Sequence, residues 1–237
     1  MTSVFPESLA EKIIAQKIQE WELKRKQEKE RQDRGEITVY PFLTISRDLG
    51  CREEEILPLL EKTLGWKIYG RNLLDYVAAR DNLSRSFIET LDEHRQQMVD
   101  QWVHYLIHSG SILQEDYVVK ISRLMKVIAA QESAIFLGRG SNYILEAKKE
   151  GLRIRLTAPL EQRIKNIAEL RNIPEKKAET IVRETDQKRE NFIRSYFGKN
   201  VHECFHFDLT FNTANITNEM ICKTVVLIFD EKKKLGS

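Results

Sequence analysis

Two short stretches combine glycines and charged side chains in patterns that can hold phosphate. The first is Ser46-Arg47-Asp48-Leu49-Gly50-Cys51-Arg52-Glu53-Glu54-Glu55. It follows an apolar run, Phe42-Leu43-Thr44-Ile45, and precedes Ile56, Leu57, Leu59, Leu60 and Leu64 at helical spacing. These residues predict a buried strand, a turn at Gly50 and a helix from about Glu53. A helix that opens behind a strand turns free N–H groups and the positive end of its dipole toward an anion. A loop that wraps phosphates also needs glycines and usually a lysine, as in G-x-x-x-x-G-K-[ST]. Here Gly50 stands alone, and Glu53, Glu54 and Glu55 fill the first helical turn. Those carboxylates suit the dipole. Each close like-charge pair with a polyphosphate would cost about 1 kcal/mol or more. A self-capped helix start without a ligand is the competing reading.

The second stretch is Leu137-Gly138-Arg139-Gly140-Ser141, directly after the apolar run Ala134-Ile135-Phe136. The carboxyl end of a strand is where open α/β sheets bind ligands. Gly138 and Gly140 permit close backbone approach, and Arg139 offers a planar fork for phosphate or carboxylate. A tight turn with a surface arginine is the alternative. Farther on, residues 159–196 read as helical and carry Arg163, Arg171, Arg183, Lys188, Arg189 and Arg194, with Asp186 and Glu190 among them. Arg183, Asp186 and Arg189 follow one another at i, i+3, so one helix face can present Arg, Asp and Arg together. A solvated helix face looks the same.

Other reactive types give less. His202, Cys204 and His206 are closely spaced, but no fourth ligand stands nearby and no metal site is expected. Cys51 sits at a helix start, which can depress a thiol pKa, yet the adjacent glutamates oppose that. Trp21, Trp66 and Trp102 read as core or interface anchors.

The elements that must position these residues alternate. Strands are predicted at 42–45, 66–69, 134–137, 152–156 and 207–211. Helices are predicted from 53, at 72–80, from 84, and at 91–108, 117–130, 160–170, 174–196 and 216–229. Such alternation implies a parallel sheet covered on both faces, with right-handed crossovers. Before it lies a helix with Leu9, Ile13, Ile14, Ile18, Trp21 and Leu23 at three- and four-residue steps, then a charged run to Arg34 and a stop at Gly35. Its apolar half must bury against its own domain or a second subunit. The chain has 237 residues, a net charge of +2 and three cysteines without metal or redox spacing. That near-neutral balance gives no electrostatic case for nucleic acid or a membrane. With no apolar run long enough to span a bilayer and no signal peptide, a soluble cytoplasmic protein is expected.

From Phe42 to about Asp230 the chain resembles the cytidylate-kinase-like P-loop proteins. Five stretches match in order. They are Thr44-Ile45-Ser46-Arg47, Phe136-Leu137-Gly138-Arg139-Gly140, Ala158-Pro159-Leu160-Glu161-Gln162-Arg163, Thr185-Asp186-Gln187-Lys188-Arg189 with Tyr196 after it, and Phe207-Asp208-Leu209-Thr210-Phe211-Asn212-Thr213. The resemblance implies a three-layer α/β nucleoside monophosphate kinase fold, with a parallel sheet of about five strands and helices on both faces. It implies a domain over 37–237 with a helical lid over about 159–200, preceded by a helical extension over 1–36. ATP and Mg²⁺ would meet the donor loop at Ser46, Arg47, Gly50, Cys51 and Arg52. A CMP-like acceptor would lie near Arg71, Gly138, Arg139 and Gly140. Lid residues Arg163, Arg183, Arg189 and Asp186 would attend the moving phosphoryl group, since this catalysis is positioning and electrostatics.

The chain departs from the family at the donor loop. The resembled loop reads Gly-Ser-Gly-Gly-Arg, and this chain has Gly50-Cys51-Arg52-Glu53-Glu54. Two readings follow. One is an active kinase with an altered loop. The other is an inactive pseudokinase that works as a nucleotide-sensing or protein-interaction module. A nucleotide is the expected small-molecule partner in the first reading and in the sensing form of the second. The N-terminal helix is a candidate homodimer contact.

Overall fold

A computed structural model of the chain describes residues 7–28, 40–145 and 150–235. After α1 (Glu7–Glu28) come β1 (Phe42–Arg47), α2 (Glu53–Leu64), β2 (Lys67–Gly70), α3 (Arg71–Ala78), α4 (Asp81–Glu89), α5 (Glu93–His108) and α6 (Asp116–Gln131). Then follow β3 (Ala134–Leu137), a short α7 (Ser141–Ile144), β4 (Gly151–Thr157), α8 (Leu160–Arg171), α9 (Glu175–Phe197), β5 (Leu209–Asn212) and α10 (Asn218–Leu235). The five strands form one sheet in the order β2-β3-β1-β4-β5. Every pairing is parallel. The predicted three-layer α/β arrangement is the one observed.

Two boundaries differ in ways that matter. β1 runs on through Ser46 and Arg47, because these residues pair with Arg155 and Leu156 of β4. The closing helix begins at Asn218 and continues to Leu235, beyond the expected 229. Its last turn is rich in lysines, which carry no apolar signal but suit a helix C-terminus.

Alternation along the strands feeds two cores. Leu43 and Ile45 of β1 point to one side, with Ile56 and Leu60 of α2 and Ile221 and Val225 of α10. Phe42 and Phe136 point to the other, with Ile121, Leu124, Met125 and Ile128 of α6. β1 lies at the centre of the sheet, so the loop after it leaves from the most constrained strand.

α1 packs on this second core, through Ile14 and Trp21. Its buried stripe is Ala10, Ile14, Lys17 and Trp21, while Leu9 and Leu23 stay exposed. Of the two burial sites open to this helix, its own domain is the one used. The expected stop at Gly35 and the charged run beyond Glu28 lie outside the described residues. No described helix is long and apolar enough to cross a membrane.

α8 and α9 form a hairpin with a small core of its own, Ile167, Ala178 and Val182. Leu49, from the loop after β1, packs into that core.

Trp21 is 1% exposed and stacks edge-on against Phe87 at 5.4 Å between ring centroids. Trp21→Ala should therefore cost about 3–5 kcal/mol in urea unfolding. Leu23→Ala, on the exposed side of the same helix, should stay within about 0.5 kcal/mol.

Candidate functional site

The loop from Asp48 to Arg52 joins β1 to α2, and the α8–α9 hairpin lies directly on it. Gly50 has φ +87°, and a Cβ there would come within 2.5 Å of the Arg163 carbonyl oxygen. Only glycine lets the two backbones touch this way. The Leu49 N–H donates to Asp186 Oδ1 at 2.9 Å. Arg163 donates to the Leu49 carbonyl at 3.2 Å, and Asn166 Nδ2 to the Gly50 carbonyl at 2.8 Å. Asp186 is also ion-paired with Arg163. Two residues on, Arg52 begins α2 in the left-handed region at φ 58° and ψ 31°, with no side-chain cap. A non-glycine residue there costs about 1 kcal/mol or more.

Glu53 turns back from the first turn of α2 into this junction. Its Oε1 accepts from Arg47 Nε at 3.1 Å and lies 3.4 Å from Arg189 NH2. Arg189 also donates to the Arg47 carbonyl at 3.0 Å. The Glu53 side chain is only 15% exposed, and its second oxygen is buried with no hydrogen-bond partner. Burial holds the Arg47 guanidinium below its ordinary pKa, with Glu53 opposing the shift. A carboxylate of the chain thus sits where two arginines converge, which is how an oxyanion would be held. Glu54 is shifted upward, first by burial and then by Glu53 and Glu55 beside it.

A second arginine cluster forms at the end of β3. Gly138, Arg139 and Gly140 have φ of 74°, 53° and 68°. Three successive left-handed residues make a tight turn. Arg139 leaves that turn toward Asp75 of α3, donating through Nε to Oδ1 at 2.8 Å and through NH2 to Oδ2. Tyr117 OH donates to the same carboxylate at 2.5 Å. Arg71 lies 3.5 Å away and is 68% exposed. The Arg139 guanidinium also covers the Phe192 ring at 4.7 Å. The two clusters adjoin at Gly138, where a Cβ would lie 2.6 Å from Arg47 NH1.

The structure therefore brings Arg47, Gly50, Arg163, Asp186 and Arg189 together, with Arg71, Gly138, Arg139 and Gly140 beside them. It does not bring Arg183 there. Arg183 pairs with Glu179 one turn earlier on α9 and is 59% exposed. Asp186 and Arg189 share the inner face of α9, and Arg183 points away. Ser46 is the last but one residue of β1, in register with Arg155. Cys51 is buried, and its thiol is pushed up to about 12, first by burial and then by Asp48. His206 bonds Glu203 and packs against Tyr143. Among the described residues no group of three or more His, Cys, Asp or Glu is placed to hold a metal.

Three carboxylates escaped sequence reasoning. Glu53 looked like an opponent of phosphate and proves to be an arginine partner. Asp75 gathers Arg139, Arg71 and Tyr117, and its spacing of four from Arg71 was the one signal available. Asp48 takes Arg155 NH2 at 2.8 Å and Thr157 Oγ1 at 2.7 Å. Nothing local in sequence marks the Asp48 contacts, because they cross from β1 to β4.

A central parallel strand, a loop into a helix, and an arginine-bearing hairpin over that loop define a protein with a P-loop-kinase-like fold. A model of the cytidylate kinase-like family matches residues 42–215. The chain belongs to the cytidylate kinase-like family. It is 39% identical over 90 residues to a cytidylate kinase of Desulfurococcus amylolyticus, across 36% of this chain and 48% of that one. It is 43% identical over 70 residues to a cytidylate kinase of Staphylothermus marinus, across 29% and 38%. The matches thus span about half or less of those curated relatives. An uncharacterized protein of Eubacterium ventriosum shares the fold, with a TM-score of 0.63 at 16% identity over 81% of this chain and 99% of that one.

The contact at Gly50 sets a contrast with Gly65, where φ is +69° but an added Cβ meets nothing within 4 Å. Gly65→Ala should cost about 1 kcal/mol, the left-handed penalty alone. Gly50→Ala should cost at least about 2 kcal/mol in the same denaturation assay, because the hairpin backbone must also move. Thiol labelling of the native protein should modify Cys204, which is exposed, and spare Cys51 and Cys222, which are buried. Rapid loss of the Cys51 thiol at mild alkaline pH would contradict the buried loop.

Proposed function

We propose that this chain binds a nucleoside monophosphate, CMP or dCMP in type, and does not transfer a phosphoryl group to it from ATP. The observation that carries the reading is the Glu53 carboxylate held by Arg47 and Arg189. In the resembled loop that position is glycine, which leaves the space to donor phosphates. Here the space and both cations are taken by the chain. The Gly50 contact with the Arg163 backbone closes the loop from the hairpin side as well. ATP with Mg²⁺, the usual donor in this family, does not fit the loop as it stands.

The acceptor side keeps what a mononucleotide needs. Arg71 supplies a largely exposed cationic fork, Arg139 a second fork held by Asp75, and Asp75 and Tyr117 a polar wall, while the turn at Gly138 and Gly140 lies against Arg47 and Phe197. Arg71 is largely exposed and loosely paired, so it is the cation most able to turn toward a phosphate. Arg163, Asp186 and Arg189 act as fasteners of the hairpin, and Arg183 faces outward. The output of such a protein is occupancy, read by another molecule, and the module is a nucleotide sensor. If two copies associate through α1, the contact falls on Leu9 and Leu23, since the opposite face is buried.

Calorimetric titration should show CMP or dCMP binding and no heat with ATP and Mg²⁺. A coupled assay with both nucleotides should show no turnover above background. Turnover would overturn the reading, and so would absence of binding by every mononucleotide. Arg52→Gly, Glu53→Gly and Glu54→Arg together should create ATP binding, because they restore room and charge at the loop.

A further inference from the structure

The helix α1 lies outside the span that matches the family, which begins at residue 42. It nonetheless touches the same segment that carries the proposed mononucleotide residues. Three direct contacts reach residues 76–89, and a shared carboxylate links the helix to Tyr69. Glu132, at the end of α6, accepts from Lys17 Nζ at 2.5 Å and from Trp21 Nε1 at 3.4 Å. The same carboxylate accepts from Tyr69 OH at 2.6 Å. Tyr69 lies in β2, two residues before Arg71. Glu11 accepts from Tyr76 OH at 3.1 Å, and Tyr76 neighbours Asp75 on α3. Trp21 packs on Phe87 of α4, and Arg25 donates to the Glu89 carbonyl at the end of that helix.

Lys17 is a lysine in a buried stripe, 6% exposed. A desolvated ammonium is tolerated only with its counter-ion in place. Its pairing with Glu132 therefore fixes where α1 lies on the body of the protein. Helices α3 and α4 are short, eight and nine residues, and pack on α6. Helices of that length have little stability of their own. An outer brace that grips both, and is itself pinned to α6, restricts how far Asp75 and Arg71 can move.

We propose that α1 positions the mononucleotide site, with Lys17 and Tyr76 as positioning residues acting through Glu132 and α3. This rests on the reading of the Arg71–Asp75–Arg139 cluster as the acceptor site. The helix holds the binding segment in its binding form, so the ordering cost of that segment is met before the ligand arrives.

The test uses the full chain, CMP titration and hydrogen exchange on Lys17→Met, Lys17→Arg and Tyr76→Phe. Lys17→Met should weaken CMP binding by about tenfold and speed amide exchange in 71–89, with β1 and β4 unchanged. Lys17→Arg, which keeps the ion pair, should bind within about twofold of wild type. Tyr76→Phe keeps the ring and removes the hydroxyl that donates to Glu11, so it should fold in any case and weaken binding by about threefold. Wild-type CMP affinity in both Lys17→Met and Tyr76→Phe overturns the proposal. If Lys17→Met does not fold, wild-type affinity in Tyr76→Phe alone overturns it. Should the wild type bind no mononucleotide, the functional reading fails. Exchange in 71–89 then judges the brace, and unchanged exchange in the variants overturns it.

Discussion

The loop after β1 depends on one carboxylate. Glu53 shares a single oxygen between Arg47 and Arg189, in a junction where little water reaches. Two guanidinium groups brought this close repel each other, and burial removes the solvent that would screen them. An anion between them is required for the hairpin to rest on the loop. In a working phosphate loop the ligand supplies that anion and the hairpin closes when it binds. Here the anion is covalently part of α2, so the closed arrangement forms on folding. Asp186 repeats the device one turn away, by taking both the Leu49 N–H and Arg163. The arrangement explains how a glutamate at position 53 can stand in such a loop without unfolding it.

Much of the fold was legible because its signals are local or periodic. The apolar run at Phe42 to Ile45 and the run at Ala134 to Leu137 named two central strands, and both were found. Gly138-Arg139-Gly140 announced a turn at a strand end, and the turn is there with all three residues left-handed. The order of strands and helices implied a parallel sheet, which the pairings bear out. What stayed hidden is pairing across sequence. The contacts of Glu53 with Arg189 and Asp48 with Arg155 join residues 136 and 107 positions apart. Charge type alone cannot say whether a glutamate faces a ligand or an arginine. Arg183 shows the reverse error. Its spacing from Asp186 allowed one shared face, yet the six residues from Arg183 to Arg189 turn the helix by about 600°, so those two point about 120° apart. That leaves Arg183 outside the face that α8 covers. In α1 the apolar pattern marked Ile14 and Trp21 but hid Lys17, because a buried lysine has no place in a hydrophobic count.

Two regions flank the candidate site, the hairpin over the loop after β1 and the helices that carry Arg71 and Asp75. In this chain both are held from within. The hairpin is pinned by Glu53 and Asp186, and α3 and α4 are braced by α1. Each fastening uses a charged pair removed from water, a type of contact worth more for fixing geometry than for net stability. In the function proposed above, a protein so fastened gives up the motions of turnover and keeps a preformed cleft.

The most direct measurement is the NMR signal of the Arg47 side-chain Nε–H, which donates to Glu53. Its proton should exchange slowly with water, and its resonance should stay in place when Mg²⁺ and ATP are added to excess. A resonance that moves or vanishes in step with ATP, together with shifts of the nucleotide's phosphorus signals, would mean that the donor displaces Glu53 and that the loop still takes triphosphate.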